Sequence, residues 1–329
     1  MPRIRDLNIT IGDLPTGPLN AITDVPGISV GHTTIHEGNR LHTGVTAIVP
    51  DSLPIPAAVF SGNGYGKLIG VTQVQELGEI ETPILLTSTL SAFRVADALI
   101  TWMLEQPGNE GIRSLNPVVG ETNDGGLSDI RARAITPQHV FDALNTATNG
   151  PVEEGCVGGG SGTRALGFKG GIGTSSRMVT PKDDDLDEEF PPYTIGAIVQ
   201  SNYGGTLTLQ GKRIEAPQES EADKGSCMIV VATDAPLDAR QLERIAKRAV
   251  FAMGRTGASY SHGSGDYGIA ISTRPDGRLP DAALSPIFVA TMDAVEEALL
   301  NSIFMAETTH GIDGNVAYGI TSQVDVTSL

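Results

Sequence analysis

The sequence predicts an α+β fold in layers, with helices packed outside sheets. Two patterns carry that expectation. Short apolar runs rich in β-branched residues flank pairs of helical segments instead of alternating strictly with them, which disfavours a doubly wound parallel sheet. Glycine is abundant, at 40 of 329 residues, so tight turns and close backbone approaches are expected. With 40% apolar residues the chain has material for a sizeable core, and it reads as one domain over residues 1–329.

Taken in order, residues 1–35 hold short patches broken by Gly and Pro, and residues 45–49, 57–60 and 84–88 read as short strands. Phe93, Ala96, Ile100 and Met103 follow at the three-to-four spacing of one helix face. Thr136 and Pro137 read as N-cap and first-turn proline of a second helix reaching Ala147. Residues 155–177 are too rich in glycine for a helix, since each interior glycine costs about 1 kcal/mol relative to alanine. Residues 181–192 read as an acidic loop, and residues 194–200 and 206–209 as a hairpin around 201–205. A polar, loop-like stretch at 219–224 leads into Gly225, Ser226 and a continuous apolar run, the mark of a buried strand. Residues 237–253 form an amphipathic helix with Leu242, Ile245, Ala246, Ala249, Val250 and Met253 on one face. Residues 267–272 read as a strand, and Ser285-Pro286 opens a last helix to about Glu307.

The net charge of -17 argues against a nucleic-acid partner, because such partners are met with concentrated Lys and Arg. Cys156 and Cys227 are too few for a disulfide framework and read as free thiols in a reducing compartment. The N-terminus lacks the apolar core of a signal peptide, and no run of about 18 apolar residues occurs. A cytoplasmic protein without a membrane partner is expected.

Several motifs fail their structural tests. Residues 263–268 match G-x-G-x-x-G but precede a strand, where a dinucleotide site requires the reverse. Residues 62–67 resemble a phosphate loop one residue short, with Leu68 where Ser or Thr belongs. His32 and His36 have the spacing of zinc ligands on a helix, but β-branched Thr33 and Thr34 and the preceding Gly31 disfavour a helix. No metal and no cofactor are expected. There is no G-x-S-x-G elbow either.

What remains is the serine at the head of the buried strand. Gly225-Ser226 reads either as punctuation before a strand or as a bond that breaks. A serine needs a base to become a nucleophile, and an N-terminal serine carries one, since an α-amine titrates near ~7.7–8.0. A glycine before it tolerates the backbone strain of an N-to-O acyl shift.

The chain resembles the DmpA-type family of self-processing aminopeptidases, which includes L-aminopeptidase/D-Ala-esterase-amidases and β-peptidyl aminopeptidases. The likeness runs through residues 15–27, Val30-Gly31-His32, Gly62-Asn63-Gly64, residues 121–125, 167–177 and 199–204, Gly225-Ser226, residues 232–237 and 262–266, in that order. It implies an αββα sandwich similar to N-terminal-nucleophile hydrolases and self-cleavage into chains of residues 1–225 and 226–329. It also implies a homo-oligomer of such pairs. Ser226 matches the nucleophile and Asn202 the donor to the oxyanion. Ser264 and Asp266 match a Ser-x-Glu pair that orients the nucleophile and its amine, with Asp one methylene shorter here. Glu121 matches a carboxylate that holds the substrate's ammonium group. Asn123 stands where some members carry a tyrosine, and Asn63 falls among the substrate-binding motifs. Lys67 adds a cation beside the glycine-rich wall. The implied substrate is a small peptide, amide or ester with a free amine. The alternatives are an amide-oligomer hydrolase, an acyltransferase, or a binding relative that never cleaves.

Overall fold

The computed structural model describes residues 1–183, 188–217 and 225–325. The stretch 219–224 and the centre of the acidic segment lie outside the described residues. In chain order, β1 (Ile28–Glu37), β2 (Leu41–Pro50), β3 (Ile55–Gly64), β4 (Leu68–Ile69), β5 (Glu79–Ile80), β6 (Ile84–Ser88) and β7 (Val118–Thr122) come first. They are followed by β8 (Ile172–Val179), β9 (Tyr193–Asn202), β10 (Gly225–Thr233) and β11 (Ser264–Ser272). The main helices are α1 (Val71–Leu77), α2 (Ala92–Leu104), α3 (Pro137–Asn145), α4 (Ala239–Met253) and α5 (Leu284–Phe304).

Two sheets form. One has the order β1-β2-β6-β7-β4, the other β8-β9-β10-β11-β3-β5. Helices α2 and α3 cover the outer face of the first, and α4 and α5 the outer face of the second. Three apolar clusters fill the three interfaces, so the layers read helix, sheet, sheet, helix. This is the expected αββα sandwich. No helix among the described residues is long and apolar enough to cross a membrane.

Strand β10 shows how the layers are addressed. Cys227, Ile229 and Val231 pack toward α4 and α5, whereas Met228, Val230 and Ala232 pack between the sheets. The run looks continuous in sequence because both faces are buried. It is central, antiparallel to β9 and parallel to β11. The parallel pair is joined by α4, which begins at an Asp238 cap: the Asp238 carboxylate accepts from Gln241 N at 2.8 Å, and Gln241 Oε1 accepts from Asp238 N at 3.3 Å. The six apolar residues assigned to that helix face are all buried.

The structure corrects five readings. Residues 194–200 do not form a hairpin with 206–209; Thr208–Leu209 turns back onto Lys212–Arg213, and β9 instead pairs with β8 and β10. The buried face of α2 is Ala92, Val95, Ala96, Leu99 and Met103, rotated from the expected stripe, and Phe93 is 67% exposed. Helix α3 ends at Asn145, and α5 ends at Phe304 with Ser285-Pro286 inside its first turn. The acidic segment is not all loop, because Lys182–Asp183 pairs with Glu188–Glu189. His32 and His36 lie on β1, an extended strand. His32 Nδ1 meets Thr46 Oγ1 at 2.9 Å, and burial pushes its pKa down to about 4.

Candidate active site

The ends of β9, β10 and β11 meet a loop from β3 and the end of β7 around a cavity of about 1100 Å³. Ser226 is the second residue of β10. By strand alternation its side chain shares the inter-sheet face with Met228 and Val230, and it lines this cavity. Asn202 is its partner in the β9–β10 register and lines the same wall. Asn202 Oδ1 accepts from Arg164 N at 3.0 Å, which fixes the amide plane and commits its other end, Nδ2, to donating. Gly225 is pressed against the turn after β9. A Cβ there would stand 2.9 Å from Tyr203 Cα and 3.0 Å from Asn202 O, so only glycine fits.

Ser264 and Asp266 flank the same register position from the parallel strand: Gly225 pairs with Ser264, Ser226 with Gly265 and Cys227 with Asp266. Their side chains fall on the other face of the sheet from Ser226, the face of Cys227, and neither lines the cavity. Ser264 Oγ donates to Asp266 Oδ1 at 2.8 Å, while Asp266 Oδ2 is buried without a hydrogen-bond partner. Burial pushes the Asp266 pKa up to about 6, against the opposing pull of Ser264 and the Cys227 amide. Burial also pushes the Cys227 thiol and the Tyr203 hydroxyl up, so neither carries charge near neutral pH.

The opposite wall comes from β7 and the β3–β4 loop. Glu121 is 3% exposed and accepts from Lys67 N at 2.8 Å and Lys67 Nζ at 3.3 Å. Asn123 lines the cavity with its Oδ1 accepting from Gly125 N at 2.9 Å, a local turn. Asn63 lies behind the wall and donates to Ser261 O at 2.6 Å. The cavity thus gathers Ser226, Asn202, Glu121 and Asn123, whereas Asn63, Ser264 and Asp266 support it from outside. Sequence reading missed the Arg164 amide and Thr89, a cavity residue that bonds Lys67 Nζ at 2.7 Å. A backbone donor has no residue-type signal, and a lone threonine carries none.

A serine heading a central strand beside a fixed amide, in an αββα sandwich, defines a hydrolase of the N-terminal-nucleophile class. The chain belongs to peptidase family S58, which it matches over residues 20–317, and it is an enzyme acting on peptide bonds. Beta-peptidyl aminopeptidase BapA of Sphingosinicella xenopeptidilytica is 38% identical, over 97% of this chain and 89% of its own. The L-aminopeptidase D-Ala-esterase/amidase of Ochrobactrum anthropi is a prototype for the serine aminopeptidases and a variant of the N-terminal-nucleophile hydrolase fold. It superposes with a TM-score of 0.88 at 35% identity, covering 97% of this chain and 96% of that one. The PH0078 protein of Pyrococcus horikoshii superposes with a TM-score of 0.89 at 40% identity, over 97% of this chain and 96% of its own.

Proposed function

We propose that the chain is one catalytic domain that cuts itself between Gly225 and Ser226 and then removes N-terminal α- or β-amino acids from short peptides, amides or esters. The observation that carries this is Ser226 at the head of β10, open to the cavity and in register with an amide whose oxygen is already held. In the first step the Ser226 hydroxyl attacks the Gly225 carbonyl, the peptide nitrogen leaves, and water resolves the ester. The freed α-amine then serves as base for its own hydroxyl. The buried, half-satisfied Asp266, braced by Ser264, orients that amine from the far face of the sheet.

In turnover, Glu121 receives the ammonium of the substrate and so selects chain ends over chain interiors. Ser226 attacks the adjacent carbonyl, Asn202 Nδ2 donates to the oxyanion, the amine leaves, and water releases the acyl group. Asn123 shapes the pocket, and Asn63 braces the segment at Ser261. No cofactor takes part in this scheme. The cleaved pairs assemble as a homo-oligomer in the cytoplasm, a reading supported by the family resemblance and by two unpaired thiols, with neither nucleic acid nor membrane as partner.

Intact-mass spectrometry tests the scheme. Purified protein is expected as two fragments, residues 1–225 and 226–329, and Ser226→Ala as one uncut, inactive chain. An uncut wild-type chain that still hydrolyses amino-acid p-nitroanilides sinks it.

A further inference from the structure

The wall facing Ser226 carries a cation beside its carboxylate, Lys67 beside Glu121. Among the described residues, both hydrogen bonds to Glu121 fall on Oε1, and both come from Lys67. That leaves Oε2 to take an ammonium. Lys67 Nζ spends one N–H on Glu121 and one on Thr89 Oγ1. An ammonium has three, so one remains, and the lysine side chain is 40% exposed where it lines the cavity. An anionic acceptor and a cationic donor therefore stand side by side. Groups that would meet both must be as close together as they are, which two substituents on a single carbon satisfy.

The pair also sits near the reacting serine. Gly265 is the register partner of Ser226. Gly66 backs onto Gly265: a Cβ on Gly66 would lie 3.4 Å from Gly265 Cα and 3.5 Å from Glu121 Oε1. One layer of glycine backbone separates the charge pair from the strand position of the nucleophile.

Resting on the reading of Ser226 as nucleophile and Glu121 as ammonium receptor, we propose that Glu121 and Lys67 together recognise an aspartyl residue linked through its β-carboxyl group. In that residue one carbon bears both a free ammonium and a free carboxylate, and the next carbon bears the scissile carbonyl. Glu121 Oε2 takes the ammonium, Lys67 Nζ takes the carboxylate, and the β-carbonyl reaches Ser226. An ordinary N-terminal residue has its α-carboxyl inside the scissile bond and leaves Lys67 unused. Hydrolysis breaks the amide C–N bond, with the hydroxyl of water ending on the β-carbonyl and its proton on the departing amine. The products are aspartate and the shortened peptide. Lys67 is thus a specificity-determining residue.

The test uses the purified full chain and three dipeptides of matched configuration: β-aspartyl-leucine, 3-aminobutanoyl-leucine and alanyl-leucine. The second has a methyl group where the first has the carboxylate. Wild type is expected to favour the β-aspartyl over the 3-aminobutanoyl substrate by about tenfold or more in kcat/KM, mainly through KM, the scale of a charge-assisted hydrogen bond. Lys67→Met is expected to bring that ratio near unity, whatever its overall rate, and Lys67→Arg to keep a preference. A wild-type ratio at or below one overturns the inference, as does a ratio that Lys67→Met leaves unchanged. Should Lys67→Met fail to fold, the wild-type ratio and Lys67→Arg decide. Turnover of the other two substrates without the β-aspartyl one removes this inference and leaves the aminopeptidase reading standing. No turnover of any substrate removes both.

Discussion

Glu297 and Asp266 are both completely buried carboxylates, and the chain treats them in opposite ways. Glu297, on α5, accepts from Arg5 at 2.7 and 2.9 Å, from Arg177 Nη2 at 2.6 Å and from Asn20 Nδ2 at 2.6 Å. Burial pushes its pKa up, but the Arg5 hydrogen bonds, the charge of Arg177 and the Asn20 amide outweigh that and hold it below the ordinary range. Asp266 has the Ser264 hydroxyl on Oδ1 and no partner on Oδ2, and burial outweighs the pull of Ser264 and the Cys227 amide and leaves it high. The first is a carboxylate with partners on both oxygens, and it ties the N-terminal segment to α5 and β8. The second is incompletely satisfied and lies next in register to the serine whose amine the proposed cut would create. Satisfaction, more than burial, separates a structural charge from one awaiting a partner.

The comparison can be broken at either end. The largest effect is expected from Arg177→Met. It strips a fully buried partner from Glu297 and should lower unfolding free energy by about 3–5 kcal/mol, measured by denaturant titration. A loss under about 1 kcal/mol, the scale of an exposed pair, would show that the network is not what anchors this end of the fold. Asn202→Ala tests the serine that stands beside Asp266 in register. The loss of one oxyanion donor should lower kcat by about 10²–10³-fold and slow fragment formation, with little change in the denaturation midpoint.

The two carboxylates should also respond to pH with opposite sign. A group held below its ordinary pKa contributes stability at higher pH that is lost as pH falls, which is the case for Glu297. A group held above it contributes stability at low pH that is lost as pH rises through the folded value, about 6 for Asp266. In an uncut Ser226→Ala background, Asp266→Asn should therefore flatten the decline in stability between the ordinary carboxylate range and about pH 6. Asp124, fully buried and pushed up to about 6 by burial, contributes in the same direction, so the difference between the two proteins is the quantity to measure. The smallest effect belongs to neither network. Asp238→Ala removes the cap of α4 and should cost about 1 kcal/mol without changing the fragments formed.

How much of this was legible in the chain follows from how local each signal is. The face of α4, the start of α3 and the span of β6 rest on periodicity and caps within a few residues, and all three stand. The hairpin proposed around residues 201–205 failed because the true neighbour of β9 begins at Gly225, and no local pattern ranks a distant strand against a near one. Spacing alone turns Phe93 inward, yet the helix buries its alanines and leaves the ring outside. The glycine block forms no α-helix; its second half pairs with β9 as a strand, and α5 packs so closely on it that a Cβ at Gly173 would stand 2.0 Å from Ala298 O. At the site, the resemblance points to Ser226, Asn202 and Glu121, and all three line one cavity. The partner of Glu121 was visible only as an unassigned Lys67, since the contact spans 54 positions.

Strand β10 sits between two neighbours, and its first residue is where the chain is proposed to part. The pieces on either side of such a cut remain laced together, β9 from one and β10 with β11 from the other. Dilution alone would not separate them. Unfolding, however, would cease to be the reverse of folding: a sheet once closed within a single chain could be rebuilt only by two molecules meeting. The mature protein would then be held by the height of its unfolding barrier more than by an equilibrium, and its recovery after denaturation would depend on concentration where that of the precursor does not.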